Sequence, residues 1–226
     1  LAKNITKQNH LKAWHDKKQH GFIVQKQHAQ PGHDKDLSNS WMNLQGTISH
    51  SEGYIFAIRE QEINTRALQG KRQHPGDQTF NKKCRYCHSK LEDIFHLICS
   101  CEKLSASLYL PVRHNEVGKV LYNEIIKLKD NKYKPIIPQQ ILTTEKLEIW
   151  WDIHIKTVPS VEHNRPDMVV WEKDNMTCNI IDVCVPLDEN VPNQEKKKID
   201  TYTQLAIGLA RLYPDYQYKV IPIVLG

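Results

Sequence analysis

No stretch of this chain approaches the roughly 18 consecutive apolar residues that a bilayer-spanning helix needs. The first twenty residues are rich in Lys, His and Gln and lack the apolar centre of a secretory signal. These two absences exclude a membrane partner from the readings pursued below. Internal repeats and low-complexity tracts are missing as well, which excludes solenoids and propellers. Cysteines number six, too few and too unevenly spread to read as a disulfide framework over 226 residues. No methionine precedes Met42 and the chain opens on Leu1, so it reads as part of a longer polypeptide.

What is present is a polar chain with a mean hydropathy of −0.60 and room for one medium domain or two small ones. Its net charge of +5 is unevenly shared: residues 1–90 hold 15 Lys/Arg against 7 Asp/Glu, and residues 91–226 hold 16 against 19. A basic front and an acidic back suit a nucleic-acid grip joined to a metal-using site.

Apolar spacing gives a loose helical pattern over 5–28, broken at Gln30-Pro31-Gly32, and a helix from about Ser51 to Leu68. Gly70 to Lys83 reads as a loop, and Leu91 to Ile98 as helical. Asn115 is expected to cap a helix whose inner face is Val117, Val120, Leu121, Ile125 and Leu128. Residues 130–145, with Pro135 and Pro138, read as a domain linker or an insertion. Strands are expected over Leu147–Lys156, Asp167–Glu172, Thr177–Val185 and Gln217–Leu225, with a helix from about Asn193 to Leu212. The division is 1–110, helical with a cysteine knuckle, and 111–226, an α/β domain with a mixed sheet.

Four of the cysteines lie between Cys84 and Cys101, whereas Cys178 and Cys184 sit singly on expected strands, as small buried hydrophobes do. Cys84-x2-Cys87-x8-His96-x4-Cys101 lets a tight turn and a short helix close a tetrahedron of three thiolates and one imidazole around Zn²⁺. His88 and Cys99 compete as ligands. Four protein ligands leave no open position, so the ion is structural. Lys82, Lys83 and Arg85 surround the knuckle, and Tyr86 offers a flat face for a base.

Asp167 follows Arg165-Pro166 and opens the run Met168–Trp171, and Asp182 interrupts the apolar run Ile180–Val185. A carboxylate inside such a run is costly unless cations or strong donors meet it. If the two strands form a hairpin, both acids converge at one end of the sheet and can bind Mg²⁺ or Mn²⁺. Of three consecutive lysines only Lys198 falls on the stripe of Tyr202, Leu205, Leu209 and Leu212, which aims it inward. Two acids and a lysine in this order are the parts of a metal-dependent phosphodiesterase of the PD-(D/E)xK type. Asp167 as a turn residue and Lys198 snorkelling to solvent are the structural alternatives.

On these residues the chain resembles the C-terminal region of non-LTR retrotransposon reverse transcriptases that carry a restriction-like endonuclease. The resemblance rests on Cys84, Cys87, His96 and Cys101, then Arg113-His114-Asn115, Arg165-Pro166-Asp167, Asp182 after fourteen intervening residues, and Lys198. It spans about residues 10–226. It implies a DNA endonuclease that leaves a 3′-hydroxyl as primer, normally tethered to an upstream polymerase and working in the nucleus on target DNA. Element RNA is a second implied partner. Asp167 and Asp182 would bind metal and Lys198 would assist. Arg165, Arg113 and Tyr202, with Lys82, Lys83, Arg85 and Tyr86, would meet nucleic acid. The family's Lys-x-x-Lys-Tyr helix is here Lys198-Ile199-Asp200-Thr201-Tyr202, without the second lysine. A binding module without catalysis and a decayed remnant are the rival readings.

Overall fold

In the computed structural model, which describes residues 2–43, 49–129 and 134–226, the chain divides into two units, Leu1–Leu104 and Ser105–Gly226. Helix-favouring polar residues form α1 (Ala2–His15) and α2 (Phe22–Ala29) at the start of the first unit. Gly21 turns the chain between them with a φ of 74° and lies so close to Trp14 that a Cβ would meet its carbonyl oxygen at 2.7 Å. Glu60 holds this turn, accepting from Trp14 Nε1 (3.3 Å) and the Gly21 amide (3.0 Å). Asp34 caps the short α3 (Lys35–Asn39) by accepting from the amides of Asp36 and Leu37.

The single helix expected from Ser51 to Leu68 is two helices, α4 (Ser49–Arg59) and α5 (Arg66–Arg72). The apolar pattern continues through the gap, but Gln61 turns to a φ of 58° and Thr65 caps the second helix by accepting from the Leu68 amide. α5 also reaches into the stretch read as loop. The segment expected to be helical over Leu91–Ile98 is helical from Ile94, widening to a π-helix over His96–Ser100, and is followed by the short α6 (Glu102–Leu104). This unit buries few apolar side chains: Val24, Leu68 and Ile94, with Cys84 and Cys101.

In the second unit a π-type run, Ser105–His114, leads straight into α7 (Asn115–Lys129), so Asn115 lies inside a helical run rather than capping it. The buried face of α7 is Gly118, Tyr122 and Ile126, while Val120 and Leu128 of the expected face are 62% and 79% exposed. The rotation has a packing cause. A Cβ on Gly118 would meet the Trp151 ring at 2.7 Å, so glycine is what lets the indole lie against the helix. Residues 130–133, the first part of the expected linker, lie outside the described residues.

Five strands follow: β1 (Ile141–Thr143), β2 (Leu147–Trp151), β3 (Met168–Glu172), β4 (Thr177–Cys184) and β5 (Gln217–Val224). They form one mixed sheet in sequence order, antiparallel from β1 to β4 and parallel between β4 and β5. The parallel pair needs a crossover, which is α8 (Val191–Leu212). One sheet face packs Val169, Trp171, Cys178 and Ile180 on Tyr202, Leu205 and Leu209 of α8. The other packs Leu147, Ile149, Met168, Val170 and Ile181 on Tyr122 and Ile126 of α7. The result is a mixed α/β unit of three layers. No helix among the described residues is long and apolar enough to cross a membrane.

Candidate functional site

The knuckle is built by backbone turns that aim side chains. The Cys84 amide donates to the Lys90 carbonyl (2.7 Å) and the His88 amide to the Cys84 carbonyl (2.8 Å), closing a loop through His88 at a φ of 57°. Cys84, Cys87, His96 and Cys101 then present their ligand atoms within 4.8 Å of one another. Cys84 Sγ is 3.9 Å from Cys101 Sγ, and Cys87 Sγ is 3.3 Å from His96 Nε2. A tetrahedral zinc with bonds of about 2.3 Å to sulfur and 2.0–2.1 Å to nitrogen sets such atoms about 3.5–3.8 Å apart. The Cys3His cluster can hold a metal ion such as zinc. His88 and Cys99, the competing ligands, stand outside it. Donation from the Lys90 amide and from the hydroxyl and amide of Ser89 pulls the Cys87 thiol down to about 5, so it is ready as a thiolate. Burial pushes Cys84 up.

One residue that sequence reading passed over organises the knuckle. Glu92 is fully buried and accepts from the amides of Arg66 (2.9 Å) and Arg85 (2.8 Å). It also accepts from the Arg85 guanidinium, with Nη2 at 2.6 Å. Burial raises its carboxyl, but the Arg85 bonds and the two amides outweigh that and hold it below the usual range. Arg85, expected on nucleic acid, is thus committed to tying the knuckle to α5. Tyr86 is 49% exposed, and Lys82 and Lys83 are exposed.

In the second unit, the β3–β4 register pairs Met168 with Ile181. The ladder ends there: Asp167 lies just before β3, near enough to Asp182 for its charge to raise that carboxyl. By alternation Asp182 falls on the face that packs on α8. Pro166, fully buried, fixes the chain just before Asp167. Asp182 is 3% exposed and forms an ion pair with Lys198, the lysine on the buried stripe of α8. Burial and the nearby Asp167 charge push the Asp182 carboxyl up, against the pull of Lys198 and Tyr202. The Tyr202 hydroxyl donates to the Arg165 carbonyl (3.2 Å), and burial beside the two carboxylates raises its pKa.

Asp167 has partners that charge pattern alone did not assign. Its Oδ2 accepts from the Val183 amide (2.6 Å) and faces His114 Nε2 at 3.2 Å. The Asp167 carboxylate, set against burial, raises His114 to about 9. His114 also lies 3.2 Å from the Val183 carbonyl and 3.1 Å from Asn115 Oδ1, so it spans β4 and α7. Arg113 donates to the Val185 carbonyl (3.3 Å) and lies over the Tyr109 ring. Arg165 makes a two-bond pair with Asp152, at 2.8 and 2.9 Å, with both side chains half exposed. A cavity of about 280 Å³ opens here, lined among others by His114, Asn115, Trp151, Asp152, Arg165 and Asp167. One signal for His114 was on the page in the sequence: it is the imidazole of Arg113-His114-Asn115, a segment noted only for its likeness.

Comparison of the chain with family models, curated proteins and solved structures gave no match. The functional reading rests on the residues themselves.

Proposed function

We propose that the second unit is the core of a divalent-metal-dependent DNA endonuclease of the PD-(D/E)xK type, belonging to a non-LTR retrotransposon protein and acting on nuclear target DNA. The observation that carries this reading is the nearness of Asp167 to Asp182, with Lys198 on the buried carboxylate. A buried acid with a helical lysine and a second acid close by is a costly arrangement for a fold alone. The two aspartates are a hard-oxygen donor set suited to Mg²⁺ or Mn²⁺. Such an ion, when bound, lowers the pKa of a coordinated water and offsets charge on the phosphate. The chain's own residues do the rest. Val183 N–H and His114 fix Asp167 Oδ2, Lys198 pairs with Asp182 and can there steady a phosphate oxygen, and Tyr202 binds α8 to the Arg165-Pro166-Asp167 segment. The metal-bearing knuckle, with Lys82, Lys83 and Tyr86 at its surface, serves as the grip on DNA or element RNA.

The test is nicking of supercoiled plasmid by the whole chain. Mg²⁺ or Mn²⁺ is expected to support nicking, and chelator or Asp167→Ala to abolish it. A folded, DNA-binding chain that nicks under no metal condition would leave a binding module as the function. That second reading has one observation in its favour. Thr201, where a second lysine is usual, turns its hydroxyl back to the Lys197 carbonyl (2.7 Å) on its own helix.

Arg165 yields a prediction of unusual sign. Asp152 occupies the guanidinium edge that a phosphate would take. Asp152→Asn is therefore expected to tighten DNA binding severalfold at low salt, read by fluorescence anisotropy. Weaker binding would mean that Asp152 holds Arg165 in its working pose.

A further inference from the structure

β2 and β3 are antiparallel neighbours whose facing ends, Trp151 and Met168, are in register, a gap that a two-residue turn can close. Sixteen residues, 152–167, fill it instead, with no helix or strand among them. Irregular connections longer than about 12–15 residues are uncommon in a packed unit unless they serve binding or catalysis. This one leaves at Asp152, whose amide donates to the Asp167 carbonyl (2.9 Å), and returns at Asp167, so it stands beside the candidate carboxylates.

The connection is fastened along its length. Ile155 is buried with Tyr202, Leu205 and Leu209 of α8, and Val161 packs on the same cluster. Thr157 is buried against Gly208, where a Cβ would meet its Cγ2 at 2.8 Å, and its hydroxyl donates to the Pro159 carbonyl (2.8 Å). The Ile155 amide donates to the Asn164 carbonyl (2.8 Å) and ties the two limbs together. Burial alternates along the outgoing limb: Ile153, Ile155 and Thr157 face the core, while His154, Lys156 and Val158 face out. Val158 shares the exposed tip with Pro159 and Ser160 and is itself 78% exposed. One exposed valine needs no explanation by itself. This one tops a long, fastened projection beside two carboxylates, with Lys156 behind it on the same side.

We propose that the 152–167 connection is a wedge for duplex DNA, in which Val158 enters between base steps from the minor groove and Lys156 meets the flanking phosphate. The proposal rests on the endonuclease reading, which brings DNA to Asp167 and Asp182. An apolar side chain that parts a base step unstacks, unwinds and kinks the duplex. A connection already held by α8 does this without the cost of ordering a mobile loop. Glu162, exposed on the return limb, repels phosphate, so the contact runs along the outgoing one. The wedge also adds a preference that no base contact supplies: steps that unstack readily, TA and CA/TG, are favoured beside the cut.

The test is unwinding of plasmid by the whole chain. Closed-circular plasmid is relaxed by a metal-independent topoisomerase with the chain bound and no Mg²⁺ or Mn²⁺ added, then freed of protein. Wild type is expected to leave a linking deficit that grows with the amount bound. Val158→Ser is expected to cut the deficit per bound chain by about threefold or more while plasmid affinity stays within about twofold. Ile207→Ser, at another exposed apolar position on α8, should change neither. Bound wild type that leaves no deficit overturns the wedge without any variant, and so does a deficit that survives Val158→Ser. Nicking with Mg²⁺ or Mn²⁺ is read in parallel. A chain that nicks without unwinding loses the wedge and keeps the endonuclease, and one that unwinds through Val158 without nicking does the reverse. A chain that binds no plasmid overturns both.

Discussion

Asp182→Asn is expected to abolish metal-dependent nicking while leaving the chain as stable as before, or more so by about 1–2 kcal/mol. The stability half follows from burial. Asp182 is 3% exposed and carries its charge beside Asp167, with Lys198 as its cation. Burial and the Asp167 charge disfavour the ionised carboxyl by more than Lys198 and Tyr202 offset, so a neutral isostere removes a net cost. Lys198, 25% exposed, can keep its ammonium hydrated. The activity half follows from the donor set, because an amide is a poor substitute for an anionic metal ligand. Losing several kcal/mol of charge stabilisation, at about 1.4 kcal/mol per decade, costs on the order of a thousandfold in rate. Lys198→Met should behave in the opposite way towards folding. It strands a buried carboxylate and is expected to cost about 3–5 kcal/mol, most of which the double variant Lys198→Met/Asp182→Asn should restore. Urea unfolding of the four chains, beside plasmid nicking, measures both halves. A folded Asp182→Asn chain that still nicks would remove Asp182 from the chemistry, and one that unfolds would make it a structural residue.

The Cys3His knuckle is expected to need a metal ion in order to stay folded. Among the described residues the first unit buries five apolar side chains, and two of them, Cys84 and Cys101, belong to the candidate metal cluster. Structural zinc in finger peptides contributes about 10–16 kcal/mol of apparent binding free energy at pH 7, as large as the whole stability of a typical domain, about 5–15 kcal/mol. A strong chelator, or Cys101→Ser, should therefore expose Arg85 and Lys90 to trypsin. Glu92 would lose the turn that encloses it. The second unit has its own two-sided core around Trp171 and Tyr122, so the emission of Trp150, Trp151 and Trp171 should stay unshifted. Unchanged proteolysis at the knuckle after chelation would show that the Glu92 network holds it without metal.

Sequence reading located the Cys3His cluster of the knuckle, because the spacing that metal geometry asks for is tighter than that of helices and strands. It also located β2 to β5 and α8, whose apolar runs are long and bounded by turn residues. It missed β1, three residues with little burial and no pattern of their own. It placed Leu121 and Ile125 of α7 on the core but rotated the face too far, because Val120 and Leu128 count as apolar, whereas Gly118 and Tyr122 are the residues that fit Trp151. The β3–β4 hairpin, which brings Asp167 near Asp182, was legible in the two strand runs. The partners His114, Asp152 and Glu92 were not, since each meets its group through tertiary contact rather than by spacing.

The sheet's two borders carry a further consequence. β1 is only three residues long, and β5, at the other border, has Pro222 in register with Asp182. A proline has no amide hydrogen to offer, and a three-residue border is too short to template a neighbour. Two molecules meeting edge to edge therefore find no continuous ladder to extend, on the side nearest the carboxylates or on the far one. The unit can be concentrated in solution without growing into a fibre of its own.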